Sequence, residues 1–367
     1  MRRLIVVMLV LLGVGLSAQQ PSSVPEIPFD AEAPLKLPPD LYFGEVAGVA
    51  VNSRGHVFVY TRTGSAGHVV GPRAAQLFEF DPDGSFIREI GKNLYAMAWA
   101  HSVRIDADDN IWIVDNGSDM AVKLSPEGRV LLVLGRRRES VAALHPRPPD
   151  PPGSPQRPAR PGIFNEPTDI AFDPAGNIYI SDGYRNSRVA KFDKDGHWVA
   201  SWGEPGSEPG QFRLPHGIAA DADGNVYVAD RSNSRIQVLD SDGNFLRQIT
   251  LSVPPPAGYV ANIPDFGRRP DGTYTSLWPN TLCITPPPNQ VIYSHDMFPG
   301  RIYKMSLEGE VLGYFGTTGR KLGQFGWIHA LGCVSENELW VGELLNWRAQ
   351  KLTLHPEQQA TTSSSGR

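Results

Sequence analysis

The chain has 367 residues and a formal net charge of −5, and 41% of its residues are hydrophobic. This length and composition are sufficient for one large folded core. A charge so close to neutral excludes the basic face of a nucleic-acid-binding protein and a polybasic patch that binds membranes.

The N-terminal segment has the pattern of a secretory signal peptide. Arg2 and Arg3 precede a short apolar run over residues 4–16, and small residues follow at 17 and 18. The apolar run is too short for a membrane-spanning helix. We therefore expect residues 1–18 to be cleaved as a signal peptide, no membrane insertion, and a mature protein that is secreted or periplasmic.

One sequence pattern recurs six times after this segment. A short apolar strand is followed by a turn of Asp, Gly and Asn, a second strand, an Asp-rich end with Asn-x-Arg, and a third strand. A second turn and a fourth strand complete the copy. Asp, Asn and Gly close tight hairpins, and the strands are rich in β-branched and aromatic residues. Six such four-stranded sheets, stacked radially, predict an all-β, six-bladed β-propeller over residues 19–356.

Several segments depart from this pattern. The last repeat ends after three strands, and we expect residues 35–43 to supply its fourth strand and close the ring; the alternative is a ring closed by packing alone. Residues 145–162, which are rich in Pro and Arg, and residues 254–275 are predicted to be surface loops. The polar residues 357–367 are predicted to form a disordered tail.

Cys283 and Cys333 are the only cysteines in the sequence. Both fall in predicted strands of adjacent repeats, and export permits a disulfide between them. Two buried free thiols fit the same pattern equally well. The sequence leaves both arrangements open.

One position near the start of each first strand carries a histidine in alternate repeats. Along the chain, this position holds Ala47, His101, Thr168, His216, Asn280 and His329. Alternate blades of a six-bladed ring are related by an approximate threefold axis, and their first strands line the central channel. The three imidazoles are therefore predicted to converge on one point, as the ligands of a catalytic zinc ion with an open fourth position.

Other candidate side chains follow the second strands. A second strand returns to the face at which the first strand begins, so residues at its end should lie beside the histidines. These residues are Arg62, Tyr184 and Arg231, in the first, third and fourth repeats. Two guanidinium groups and a phenol beside a cation suggest a site for an anionic substrate, with Tyr184 as a base. The alternative is that both arginines pair with loop carboxylates such as Asp182 and Asp230.

At these residues the chain resembles the NHL-repeat propellers, and among them the peptidyl-α-hydroxyglycine α-amidating lyases. The resemblance extends from around Gly44 to around Leu354, with gaps at the two insertions. The motifs that carry it are Val46-Ala-Gly-Val-Ala50, His101-Ser-Val103, Phe164-Asn-Glu-Pro-Thr-Asp169, Asp182-Gly-Tyr-Arg-Asn-Ser-Arg188, Pro215-His216 and Ala229-Asp-Arg231.

The resemblance implies an activity and a role for each candidate residue. The three histidines would bind zinc, and Tyr184 would take the proton of the substrate hydroxyl. Arg62 and Arg231 would stabilise charge and anchor a carboxylate. The implied reaction is that of a metal-dependent carbon–nitrogen lyase, which cleaves a peptidyl-α-hydroxyglycine or a related α-hydroxy-amide to an amide and glyoxylate.

The resemblance also implies a structural calcium ion. Its ligands would be the backbone carbonyls of Val49 and Val103 and an Asp that follows the third histidine. This chain has Ala330 at that position, so calcium would lack its one charged ligand. The chain also has Trp327 where the family has Met. The sequence therefore supports zinc more strongly than calcium.

Two other functions stay open at this point. One is a propeller hydrolase or lactonase with a central divalent metal, although such sites usually rely on Asp, Glu and Asn ligands. The other is a non-enzymatic NHL propeller that binds protein or peptide ligands. For the lyase we expect a small peptide or α-hydroxy-amide substrate, no nucleic-acid partner and a monomer.

Overall fold

Short antiparallel hairpins dominate the structure, as the repeated turn residues predict. The computed structural model describes residues 24–63, 75–137, 159–251, 253–254 and 278–358. Their strands form six four-stranded antiparallel sheets, each of which is one blade of a propeller. In five blades the four strands are consecutive along the chain. The predicted all-β, six-bladed propeller is confirmed.

The strands have the following bounds. Blade one contains β2 (Glu45–Val51), β3 (Val57–Arg62), β4 (Ala75–Phe80) and β5 (Phe86–Ile90). Blade two contains β6 (Ala100–Ile105), β7 (Ile111–Asp115), β8 (Met120–Leu124) and β9 (Val130–Gly135). Blade three contains β10 (Asp169–Phe172), β11 (Ile178–Asp182), β12 (Arg188–Phe192) and β13 (Trp198–Trp202), with the helical turn α1 (Gly183–Asn186) after β11.

The second half continues in the same way. Blade four contains β14 (Pro215–Ala220), β15 (Val226–Asp230), a 3₁₀ turn (Arg231–Asn233), β16 (Arg235–Leu239) and β17 (Phe245–Ile249). Blade five contains β18 (Leu282–Ile284), β19 (Ile292–His295), β20 (Ile302–Met305) and β21 (Val311–Phe315). Blade six contains β24 (Ile328–Ser335), β25 (Glu338–Glu343), β26 (Arg348–Leu354) and β1 (Phe29–Glu32). A small parallel pair, β22 (Thr317–Thr318) and β23 (Gln324–Phe325), precedes blade six.

The first strands of the six blades form a closed ring around a central channel. β2 contacts β6 and β24, β10 contacts β6 and β14, and β18 contacts β14 and β24. Second and third strands such as β3, β11 and β12 are buried along their whole length, whereas fourth strands such as β13 alternate between half-buried and exposed positions. The core therefore consists of apolar layers between blades, and any residue on a first strand lies close to the axis.

A buried ion pair repeats at the end of the second strand. An acidic side chain there accepts a hydrogen bond from an arginine that opens the third strand. The pairs are Asp182–Arg188 at 3.0 Å, Asp230–Arg235 at 3.2 Å and Glu343–Arg348 at 2.6 Å. The arginine of the Asn-x-Arg motif therefore holds the end of the second strand to the start of the third strand.

The strand that closes the ring differs from the prediction. Residues 35–43 were expected to complete blade six, but β1 pairs with β26 in that position. The segment 35–43 follows the edge of blade one instead, where the Lys36 amide donates to the Gly84 carbonyl at 2.9 Å. Pro34, Pro38 and Pro39 explain the difference, because proline cannot donate to a strand ladder.

Cys283 and Cys333 form a disulfide, which resolves the alternative that the sequence left open. It joins β18 to β24 and therefore links blades five and six across the ring of first strands.

Replacing both cysteines by serine is expected to lower the free energy of unfolding by about 3–4 kcal/mol, because the bond closes a loop of 50 residues. Denaturant unfolding monitored by tryptophan fluorescence would measure the change. Wild-type protein treated with a thiol reductant should show the same loss. Equal stability with and without the disulfide would contradict this prediction.

Some predicted segments lie outside the described residues. They are the signal peptide (1–18), most of the first insertion (145–158), nearly all of the second (255–275) and most of the tail (359–367). Among the residues that are described, no helix has the length and apolar character needed to cross a bilayer.

Candidate metal centre and active site

The three predicted histidines each lie at a β-bulge of a first strand. The pairing of β6 with β7 skips His101, that of β14 with β15 skips His216, and that of β24 with β25 skips His329. A bulge leaves one residue unpaired and changes the direction of its side chain. The bulge therefore turns each imidazole out of the sheet and towards the channel.

Each imidazole is fixed by the neighbouring blade. The Nδ1 atoms of His101, His216 and His329 lie 2.5, 2.8 and 2.8 Å from carbonyl oxygens at the same repeat position one blade further on. Those carbonyls belong to Thr168, Asn280 and Ala47, respectively. Because a carbonyl only accepts hydrogen bonds, Nδ1 must carry the proton. The lone pair of each neutral ring then lies on Nε2, as metal coordination requires.

The three rings meet at the channel axis. Their centroids are 4.8 Å apart for His101 and His216, 4.7 Å for His101 and His329, and 5.3 Å for His216 and His329. One ligand nitrogen from each ring lies within 4.8 Å of the other two. The Nε2 atom of His101 is buried and has no hydrogen-bond partner among the described residues. An unpaired buried lone pair beside two other imidazoles fits a bound divalent metal.

The electrostatic surroundings keep these imidazoles neutral. Burial is the largest cause that lowers the pKa of all three well below its usual value. Arg231 lowers the pKa of His216 further, and Arg62 does the same for His329. Neutral imidazole is the form that binds a metal ion, so the three ligand nitrogens are available without a rise in pH to remove protons.

Tyr184 lies directly above the histidines, at the end of blade three. Its hydroxyl oxygen is 3.2 Å from Nε2 of His216, and its ring centroid is 5.7 Å from those of His101 and His216. The side chain is 37% exposed, whereas the three histidines are at most 6% exposed. Tyr184 therefore extends from solvent to the metal-binding nitrogens, on the side from which a substrate would enter.

Arg62 lies on the blade-one side of the histidines. Its Nε donates to the Ala100 carbonyl at 2.7 Å, its Nη1 donates to Glu45 at 3.1 Å, and the guanidinium lies 4.5 Å from the Trp99 ring. Arg62 occupies the strand end that is acidic in blades two, three, four and six. The repeat therefore places a cation here where most blades place an anion.

Arg231 lies on the opposite side of the site. Its Nη1 donates to the side-chain oxygen of Asn280 at 2.9 Å, and its guanidinium carbon is 5.9 Å from the Tyr184 ring centroid. No carboxylate among the described residues forms an ion pair with it. Asp182 and Asp230, the proposed alternative partners, are paired with structural arginines instead. Arg231 thus retains positive charge for an anionic ligand.

The residues implied for calcium lie below the histidines. Val103 lines a small cavity together with all three histidines, and Val49 lines a larger cavity that opens on the opposite face. Ala330 lines the small cavity and contributes no charge. Trp327 packs beside the apolar cluster between blades one and two, with a backbone φ of 56° that is rare for a side chain of this size.

Several contacts of the site were missed by sequence reasoning. Two of these contacts involve Arg62, which pairs with Glu45 and lies over the Trp99 ring. The third is the hydrogen bond from Arg231 to the side-chain amide of Asn280. Glu45 and Arg62 occupy paired positions on β2 and β3, so a cross-strand pairing rule could have found that contact. Trp99 and Asn280 each come from a neighbouring blade, and no local pattern reports such contacts.

A fourth buried histidine predicts a pH dependence of stability. Burial lowers the pKa of His295 to about 4, its Nδ1 donates to the Asp296 carbonyl, and its Nε2 has no partner among the described residues. The unfolded chain takes up a proton near pH 6.5, whereas the folded chain does so only near pH 4. The contribution of neutral His295 to the free energy of unfolding is therefore fully present above pH 6.5 and is lost as the pH falls from 6.5 to about 4. The shift corresponds to about 3 kcal/mol.

The measurement compares denaturant unfolding of wild type and His295→Gln across this pH range. Wild type should lose about 3 kcal/mol more than the variant between pH 7 and pH 4. Burial raises the pKa of Asp296 to about 6, which stabilises the fold as the pH falls, and taking the difference between the two proteins removes most of this opposing effect. Parallel stability curves for the two proteins would contradict the prediction.

Comparison with known proteins agrees with this architecture. A model of the NHL repeat matches residues 164–192 and 212–239, which lie in blades three and four. A solved structure described as a streptogramin B lyase superposes with a TM-score of 0.55 at 13% identity, covering 89% of this chain and 98% of that one. At that identity the likeness establishes the propeller fold alone.

Two curated relatives are closer in sequence. Mouse peptidyl-glycine alpha-amidating monooxygenase is 33% identical over 269 residues, which are 64% of this chain and 25% of the relative. A probable peptidyl-alpha-hydroxyglycine alpha-amidating lyase of Caenorhabditis elegans is 28% identical over 176 residues, 44% of this chain and 45% of the relative. The match thus spans a quarter of the mouse protein. The chain is therefore a six-bladed β-propeller with NHL repeats in blades three and four, and part of its sequence is similar to a peptidyl-alpha-hydroxyglycine alpha-amidating lyase.

Proposed function

We propose that this chain is a zinc-dependent lyase that cleaves a peptidyl-α-hydroxyglycine, or a related α-hydroxy-amide, to an amide and glyoxylate. The observation that carries the proposal is the group of three buried imidazoles with the Tyr184 hydroxyl 3.2 Å from one of them. Three neutral histidines and an open position match the donor set of catalytic zinc. Zinc, when bound, supplies a Lewis acid that polarises the hydroxyl oxygen of the substrate.

The side chains of this site divide the remaining chemistry between them. Arg231 binds the carboxylate of the hydroxyglycine, since a guanidinium without a carboxylate partner suits an anion. Arg62 places a second positive charge on the blade-one side of the histidines, where hydrogen bonds to Glu45 and to the Ala100 carbonyl fix its position. The Arg231 guanidinium carbon is 5.9 Å from the centroid of the Tyr184 ring, so a positive charge lies beside the phenol.

The bond changes balance without any further reactant. Tyr184 accepts the hydroxyl proton while the carbon–oxygen bond becomes the aldehyde of glyoxylate. The electron pair of the carbon–nitrogen bond stays on nitrogen, which takes up one proton to become the amide. Tyr184 can return that proton, because its hydroxyl remains beside the histidines, 3.2 Å from Nε2 of His216.

The test is an assay of purified protein with N-benzoyl-α-hydroxyglycine, in which glyoxylate and benzamide are quantified together with zinc per chain. Equal release of both products by protein with one zinc per chain is the expected result. Lactone hydrolysis without glyoxylate release would favour the propeller hydrolase. Absence of both turnover and metal would favour a non-enzymatic binding module.

We further propose that the protein is exported to an oxidising compartment. The disulfide between blades five and six supports this, because such bonds persist mainly outside the cytosol. N-terminal sequencing of protein recovered from the periplasm or medium of an expression host tests the proposal. Full-length protein retained in the cytosol would contradict it.

A further inference from the structure

A partly buried guanidinium crosses the channel below the histidines. Arg104 follows His101 by three residues on β6 and lines both channel cavities, the small one under the histidines and a cavity of about 220 Å³ on the opposite face. Its Nε and Nη2 donate to the two carboxylate oxygens of Asp169 at 3.1 and 2.6 Å. Its Nη1 donates to the Leu331 carbonyl at 3.0 Å. One side chain therefore joins the first strands of blades two, three and six.

Asp169 extends these connections. One of its carboxylate oxygens accepts from the Ile218 amide of blade four at 3.3 Å, and its side chain is only 3% exposed. The residue before it is Thr168, whose carbonyl accepts the proton of His101. The strands β6 and β10 are thus joined twice, once by the ion pair and once by the histidine itself.

A calcium ion does not fit at this level of the channel. Calcium takes six to eight oxygen ligands, of which carboxylates supply the charge. Asp169 is the only carboxylate among the described residues that line the two cavities, and Arg104 engages both of its oxygens. Ala330 provides no second carboxylate. The carbonyls of Val49 and Val103 would have to share a divalent cation with a guanidinium, which charge repulsion opposes.

We propose that the Arg104–Asp169 ion pair replaces the structural calcium ion of the channel, so that the folded protein neither binds nor requires calcium. In this role Arg104 is a positioning residue. By joining β6 to β10, it keeps His101 at hydrogen-bonding distance from the Thr168 carbonyl and so directs Nε2 at the axis. The part that concerns zinc rests on the proposed metal centre, whereas the part that concerns calcium does not.

The first experiment titrates calcium into protein purified in calcium-free buffer, with and without added zinc. We expect Tm to stay constant within about 1 °C up to millimolar calcium, and elemental analysis to find no calcium in the protein. A rise of several degrees in Tm, or one calcium per chain after purification, would overturn the proposal. This result is independent of whether the protein has lyase activity.

The second experiment creates the calcium site that the ion pair replaces. The double variant Arg104→Leu, Ala330→Asp removes the cation, frees the Asp169 carboxylate and adds a second one. Calcium should raise its Tm by several degrees, because it binds only the folded state. Ala330→Asp alone keeps the guanidinium and should not respond. A calcium response equal in both variants would show that Arg104 does not exclude the ion.

The third experiment measures zinc affinity by competition with a chromophoric chelator. Arg104→Leu should weaken zinc binding about 10- to 100-fold, the usual effect of losing a group that orients a ligand. The matched control is Lys304→Met, which breaks the pair of a buried lysine with Glu336 at 2.7 Å, away from the channel. If both variants lose stability and zinc affinity to the same extent, Arg104 has no positioning role. Wild-type protein without any zinc affinity would refute the metal centre but leave the calcium result valid.

Discussion

Replacing His216 by alanine is expected to remove bound zinc and to lower kcat for glyoxylate release about a thousandfold or more. The variant loses one of three ligand nitrogens, Nε2 of His216, which is also the nitrogen 3.2 Å from the Tyr184 hydroxyl. Metal polarisation of a substrate oxygen contributes several kcal/mol to the transition state, and each 1.4 kcal/mol corresponds to about a tenfold change in rate. Zinc per chain by elemental analysis and steady-state kinetics measure the two effects.

The control for this variant is His197→Ala. His197 belongs to a second cluster, with Asp193 and Asp195, whose ligand atoms are equally close together but lie on an exposed turn. Because water competes for exposed ligands, we expect this variant to keep full zinc content and activity. Loss of zinc in His197→Ala, or full zinc in His216→Ala, would place the metal elsewhere.

The position of the histidines could be predicted from the sequence because the repeats are regular. Aligning the six copies places His101, His216 and His329 at one position in alternate blades, and a sixfold ring makes their convergence a matter of symmetry. The bulge at each histidine could not be predicted. The bulge is a shift in hydrogen-bond pairing between two strands. Ala47 lies at the same bulge in blade one although it is not a histidine, so no residue type at this position marks the bulge.

The closing strand shows where local patterns fail. Both 35–43 and Phe29–Glu32 contain the apolar residues of a half-buried strand, so hydrophobicity does not separate them. The outcome depends on which segment can reach β26 and donate to it. Phe29 also packs on Phe315 of blade five, with ring centroids 5.2 Å apart. That contact forms only when blades five and six are packed together, so it cannot be predicted from the residues near Phe29 in the sequence.

Pairs between blades are hidden from the sequence for the same reason. Arg104 and Asp169 are 65 positions apart, and nothing near either residue indicates the other. The resemblance directed attention to the missing carboxylate at Ala330 but not to the cation that occupies the channel. An alignment of the repeats therefore predicts which side chains each blade places near the channel. Which of those side chains contact each other depends on how the blades pack.

Replacing Tyr184 by phenylalanine is expected to lower kcat by about 10²–10⁴-fold while zinc content and thermal stability stay unchanged. General base catalysis by a positioned side chain contributes a factor of this size. The three imidazoles that would hold zinc remain, and Tyr184 is a partly exposed residue outside the core, so we expect neither the metal centre nor the core to be disturbed. Tyr42→Phe, which removes the hydroxyl of another exposed tyrosine, is the matched control and should behave as wild type. If Tyr184→Phe retains full kcat with one zinc per chain, the proton of the substrate hydroxyl is taken by another group. A rise in KM without a change in kcat would instead assign Tyr184 to substrate binding.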